Sequence, residues 1–101
     1  MAKTLPFAID VSPYMKESYL NKKVVVDTDT RWIYLGKFKG EDDKYVILEE
    51  VDAFDISETS LSKHEYLRMV KKDGIVPNRK KVKLLKSRVV AITLLEDIME
   101  E

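Results

Sequence analysis

Cysteine is absent from the 101-residue chain, so neither a disulfide nor a thiol nucleophile is available. With a single histidine, His64, a zinc site built from His and Cys ligands cannot be assembled within one chain, and no metal is expected. Long apolar runs are also missing. The longest, such as Val24-Val25-Val26 and Val89-Val90-Ala91-Ile92, fall far short of the ~20 residues needed to cross a bilayer. The first residues hold no apolar stretch long enough for a secretory leader, and with no cysteine in use the expected location is cytoplasmic. Only three glycines and three prolines are present, which excludes collagen-like and low-complexity chains. There is no glycine-rich phosphate loop and no serine nucleophile elbow, and no cofactor is expected.

What is there suits one small folded domain over residues 1–101: 45% apolar residues, with 18 basic and 18 acidic side chains that cancel. The cancellation hides a strong asymmetry. Residues 41–58 hold eight acids and one lysine, a net of −7, whereas residues 71–88 hold eight cations and one acid, a net of +7. Kept apart in the fold, such segments give one acidic and one basic face, and the basic one attracts phosphates.

Ser12-Pro13 supplies a hydroxyl N-cap with proline at the first helical position, so a helix is expected over about 13–20. Lys22–Asp27 and Trp32–Lys39, joined by a polar turn, read as a β-hairpin. In the second of these strands Trp32, Tyr34, Gly36 and Phe38 share one face, and Ile33, Leu35, Lys37 and Lys39 the other. The second face turns from apolar to charged halfway, so the first half should be covered on both sides, with Gly36 at a sharp bend. Lys44–Val51 is a third strand. Ser62-Lys63-His64-Glu65 is a capping box that opens a helix to about Lys72, with Gly74 as its stop. The alternation of Lys81–Leu84 predicts a half-exposed strand, and Val89–Leu95 a strand apolar on both faces, which calls for a cover or a partner strand. The acidic end, residues 96–101, should fray. Five short strands in this order predict a mainly β, strongly bent antiparallel barrel.

From Leu20-Asn21-Lys22-Lys23-Val24-Val25-Val26 through Gly36-Lys37-Phe38-Lys39-Gly40-Glu41-Asp42, the chain resembles the first motif of Sm and Sm-like proteins. Val24, Val26, Tyr34, Gly36, Phe38 and Asp42 match in kind and spacing, and Leu84–Ile92 resembles the second motif. The likeness spans about residues 13–95, with residues 54–79 as an insertion between the third and fourth strands. It implies a divergent Sm-like (SH3-like) barrel with an N-terminal helix, a homo-oligomer or ring formed by strand pairing, and single-stranded RNA as the partner. It also implies that the loop before the third strand meets the loop between the last two, gathering Asp42, Lys44, Tyr45, Lys86, Ser87 and Arg88. Asp42 would orient its loop, Tyr45 stack on a base, and Lys86 and Arg88 hold phosphate or a base edge. The chain departs from the family at two points. No asparagine occupies either candidate position after Asp42, Tyr45 or Val46, and Lys86-Ser87-Arg88 stands where an Arg-Gly pair closes the base pocket.

A second basic patch, Lys71, Lys72, Arg79, Lys80, Lys81 and Lys83, suits nucleic-acid backbone without sequence preference. Enzymatic readings fail on their residues. Val24–Thr28 is similar to the strand before the catalytic Asp-Thr-Gly of dimeric aspartic proteases, but Asp29 stands where glycine is needed. The same acids open like a calcium loop, yet Arg31, Trp32 and Phe38 occupy its fifth, sixth and twelfth positions. The sequence thus points to a non-catalytic RNA-binding or RNA-scaffolding protein. The other reading is an oligomeric protein-interaction module that has lost base recognition.

Overall fold

A computed structural model describes residues 18–100. Five strands form one antiparallel sheet: β1 Lys23–Thr28, β2 Trp32–Glu41, β3 Tyr45–Asp55, β4 Arg79–Leu85 and β5 Val89–Leu94, in the spatial order β4-β3-β2-β1-β5. A helix, α1, runs over Lys63–Asp73 between β3 and β4. The helix expected over 13–20 lies largely outside the described residues.

The connectivity forces the sheet to curl. In a flat sheet the end of β4 and the start of β5 would lie at opposite ends and on opposite edges. Only Lys86–Arg88 separate them, and such a link reaches about 13 Å at most. The bend is made at Gly36. Leu35 pairs with Asp52 and Lys37 with Glu49, so Gly36 alone faces the two residues Glu50 and Val51, a bulge that sharpens twist and curvature. A Cβ at position 36 would stand 3.0 Å from Val51 Cγ2 and 3.1 Å from the Glu49 carbonyl. Glu50 adopts φ 53°, the left-handed region, to complete the bulge.

The curl does not close the ladder. β4 and β5 are both edges and do not pair with each other, so the closed barrel expected from the sequence is instead an open, strongly bent sheet. The inner face buries Val24, Val26, Phe38, Leu48 and Leu84, with Trp32 and Tyr34 packed against them. The outer face buries Val25, Ile33 and Leu35. The two-sided cover expected for the first half of β2 is therefore present, and Ile33 and Leu35 fall on the face predicted for them.

What covers the outer face is α1, through Leu67 and Val70, together with Leu95. The capping box forms as expected, Ser62 Oγ accepting from the Glu65 amide at 3.1 Å and Glu65 from the Ser62 amide at 2.9 Å. The bond from the Ser62 amide, and then one from its hydroxyl, hold the Glu65 carboxyl below its usual range. The strand before this insertion is longer than expected, because β3 continues to Asp55. Two side-chain clasps then fix the insertion to the sheet. Tyr66 stacks obliquely on Phe54, with ring centroids 4.1 Å apart, and donates to Asp52 at 2.5 Å. Burial, and then that bond, push the Tyr66 hydroxyl up to about 12. Asn78 returns the chain to the sheet. Its side chain donates to the Ala53 carbonyl and accepts from the Ala53 amide, each at 3.0 Å, as a strand residue's backbone would.

The C-terminal segment and β5 also differ from expectation. Leu95 is buried in the outer cluster, Arg68 donates to the Glu100 carbonyl at 2.9 Å, and Lys71 to that of Ile98 at 2.6 Å. The described part of the tail is therefore tied to α1, where acidity alone suggested fraying. In β5, Leu94 and Ile92 face inward, and a register shift beside Thr28 sets Val90 in a bulge, 64% exposed. The strand is less fully two-faced than its apolar run suggested, because Ala91 and Thr93 take the positions beside Asp27 and Val25.

Candidate nucleic-acid interface

Three turns meet where β4 hands over to β5. Lys86 donates its amide to the Lys44 carbonyl at 2.7 Å, joining the β4–β5 turn to the β2–β3 turn. Asp29 donates its amide to the Arg88 carbonyl at 3.0 Å, joining it to the β1–β2 turn. Asp42, Lys44, Tyr45 and Lys86 are thus neighbours, as the sequence reading required, and the register pair Tyr45–Leu85 fixes the distance between them.

Asp42 is the organiser of the β2–β3 turn. One of its oxygens accepts from the amides of Tyr45, at 2.8 Å, and Lys44, at 3.0 Å. Those two bonds hold the carboxyl below the usual carboxylate range. Tyr45 is left half-buried beside the turn, and the Lys83 ammonium lies 4.8 Å from its ring centroid, a cation–π contact. Lys83 also stands 3.9 Å from Asp42.

The cations do not all serve as expected. Lys86 meets the Glu41 carboxylate, and the two side chains are each only 14% exposed, so this lysine braces the turn instead of facing solvent. Arg88 approaches Asp29 with its Nε at 3.2 Å. Ser87 and Lys44 are exposed. Lys83, grouped by sequence with the second basic patch, belongs to this cluster. The signal was available in retrospect, since residues 45 and 83 lie on the same side of two paired strands once the register Tyr45–Leu85 is known. A groove of about 230 Å³ lies beside it, lined by Thr28, Thr30, Tyr34, Lys83, Leu85 and Arg88 among others. The sequence reading places Tyr34 on a strand face and as a match to the first Sm motif, without a binding role.

The second basic patch is divided by the fold. Arg79, Lys80, Lys81 and Lys83 lie exposed along the edge strand β4, with Lys81 3.9 Å from Glu49. Lys71 and Lys72 sit in the last turn of α1, where Lys71 is drawn to the tail. Among the described residues no group of three or more His, Asp or Glu side chains is placed to hold a metal ion, and no helix is long and apolar enough to cross a membrane.

Neither a family model nor a curated protein matches the sequence. Solved structures do match the fold. The Sm protein of Pyrococcus abyssii, in complex with a uridine heptamer, aligns over 82% of this chain and 97% of its own, at 21% identity and a TM-score of 0.54. A chain of the NatC complex bound to Gag peptide and CoA aligns over 84% and 97%, at 13% identity and 0.54. A chain of the NatC complex bound to CoA aligns over 90% and 100%, at 14% identity and 0.54. The fold is therefore Sm-like.

Proposed function

We propose that this chain is a non-catalytic RNA-binding or RNA-scaffolding protein, acting as a ring or smaller oligomer through its free strand edges. The observation that carries the reading is the meeting of the β2–β3 and β4–β5 turns around Tyr45, with the Lys83 ammonium over its ring and the exposed Lys44 next to it in the chain. A half-exposed aromatic ring with a mobile lysine ammonium over it suits a single-stranded base and its phosphate. The P. abyssii Sm protein, of the same fold, is seen with a uridine heptamer. Titration of a short uridine-rich RNA at two salt concentrations tests the proposal. Binding should weaken steeply as salt rises, and Tyr45→Ala should lower affinity by about tenfold. No binding at low salt would end the proposal.

A second reading is an interaction module of Sm-like fold without base recognition. The pairing of Lys86 with Glu41 and of Arg88 with Asp29 favours it, because both cations already have carboxylate partners. A chain of the NatC complex has this fold as well. In either role the β4 and β5 edges offer unpaired backbone groups. Four cations guard β4, whereas β5 carries no charge. Light scattering should give a mass several times that of the 11.8 kDa chain, and a clean monomer would remove the oligomer from both readings.

A further inference from the structure

Resting on the RNA reading above, we infer that the Tyr45 site accepts single-stranded RNA without preference among bases. It stacks one base and holds backbone phosphate, and it reads no base edge. Telling bases apart takes side chains that present a fixed pattern of donors and acceptors, and the amides of Asn and Gln do this most directly. The sequence holds two asparagines and no glutamine. Neither asparagine serves the site. Asn21 accepts from Lys39 Nζ at 2.7 Å, and Asn78 is closed on the backbone of Ala53.

Most of the other polar groups near Tyr45 are engaged within the fold. Asp42 accepts from two backbone amides and faces Lys83. Glu41 meets Lys86, and Arg88 meets Asp29 through its Nε alone. Part of the turn's backbone is engaged too: the Asp42 amide donates to the Tyr45 carbonyl at 2.9 Å, and the Lys44 carbonyl accepts from Lys86. Asp43 is exposed, so a bond from it to a base amine would replace one to water and shift the balance by little. Among the described residues there remain the Tyr45 ring, the Lys83 and Lys44 ammoniums, the outer nitrogens of Arg88 and the Ser87 hydroxyl. A ring stacks on any base. An ammonium or a guanidinium nitrogen donates to acceptors that every base and phosphate offers, and a hydroxyl both donates and accepts, so none of them separates uracil from adenine or cytosine.

Fluorescence anisotropy with oligouridine, oligoadenosine and oligocytidine of equal length, at one low salt concentration, tests this. The three dissociation constants should agree within about threefold. Tyr45→Ala should weaken all three by the same factor, about tenfold, while Tyr45→Phe, which keeps the ring, leaves them unchanged. A preference of about tenfold or more for one oligomer, worth about 1.4 kcal/mol, overturns the inference and leaves the RNA reading standing. Failure of all three to bind overturns both.

Discussion

Gly36→Val should destabilise the fold by about 3 kcal/mol, and Gly36→Ala by about 2 kcal/mol, read as a drop in the urea midpoint with an unchanged slope. The cause is crowding at the one point where β2 faces two residues of β3. The first side-chain carbon already falls 3.1 Å from one backbone carbonyl and 3.3 Å from another, neither of which can rotate away. The sheet must open locally to admit it, and opening the bulge reduces the curvature that brings the ends of β4 and β5 within reach of a three-residue turn. For a chain whose total stability is on the order of 5–15 kcal/mol, the valine variant is a severe lesion. A midpoint equal to that of the natural chain would show that the bend does not depend on this contact.

Leu67→Ala should cost 2–5 kcal/mol, on the order of any fully enclosed leucine truncated to alanine. Leu67 lies on α1, outside the Sm-like sheet, yet it is 5% exposed because it closes over Val25, Ile33 and Leu35. The prediction separates two views of the insertion. As a lid on the sheet, α1 should unfold with it, so that the loss appears in a single transition monitored by Trp32 fluorescence. As an independent appendage, it would lose its own helicity and leave the Trp32 transition where it was. Met69→Ala, on the 41% exposed side of the same helix, should change stability by no more than about 0.5 kcal/mol and serves as the control.

Much of this architecture is legible in the sequence because strand alternation has a period of two. Trp32, Tyr34 and Phe38 on one side of β2 and Ile33 and Leu35 on the other separate into the inner and outer clusters without further information. Gly36 marks the bend for the same reason: it interrupts an aromatic face where a side chain would be expected. The Ser62–Glu65 capping box is local, and it is found as read. What escapes is set by contacts distant in the chain. The extension of β3 to Asp55 depends on its pairing with the start of β2 beyond the bulge, Trp32 with Asp55 and Ile33 with Phe54. The ordering of the acidic tail depends on Arg68 and Lys71 of α1. Composition counts such charges as solvated, because it cannot say which of them will meet a carbonyl.

The candidate site shows the same division. The approach of residues 42–45 to residues 86–88 follows from the pattern shared with Sm proteins, and the hydrogen bond from Lys86 to the Lys44 carbonyl matches it. Which cations stay available does not follow. Lys86 and Arg88 were assigned to phosphate by their place in the motif, yet each has a carboxylate partner. Lys83, three residues earlier, instead lies over the tyrosine ring. Electrostatic partners across a bent sheet depend on register, and a one-residue slip would have placed Lys83 on the opposite face.

Backbone amide shifts recorded while single-stranded RNA is added bear most directly on the central claim, that the two turns around Tyr45 form the binding surface. The account predicts that the largest and saturable changes fall on Asp42–Tyr45 and Lys86–Arg88, with Lys83 next and α1 unmoved. Changes centred on α1 or on the Arg79–Lys81 stretch of β4, with the Tyr45 turn silent, would contradict it.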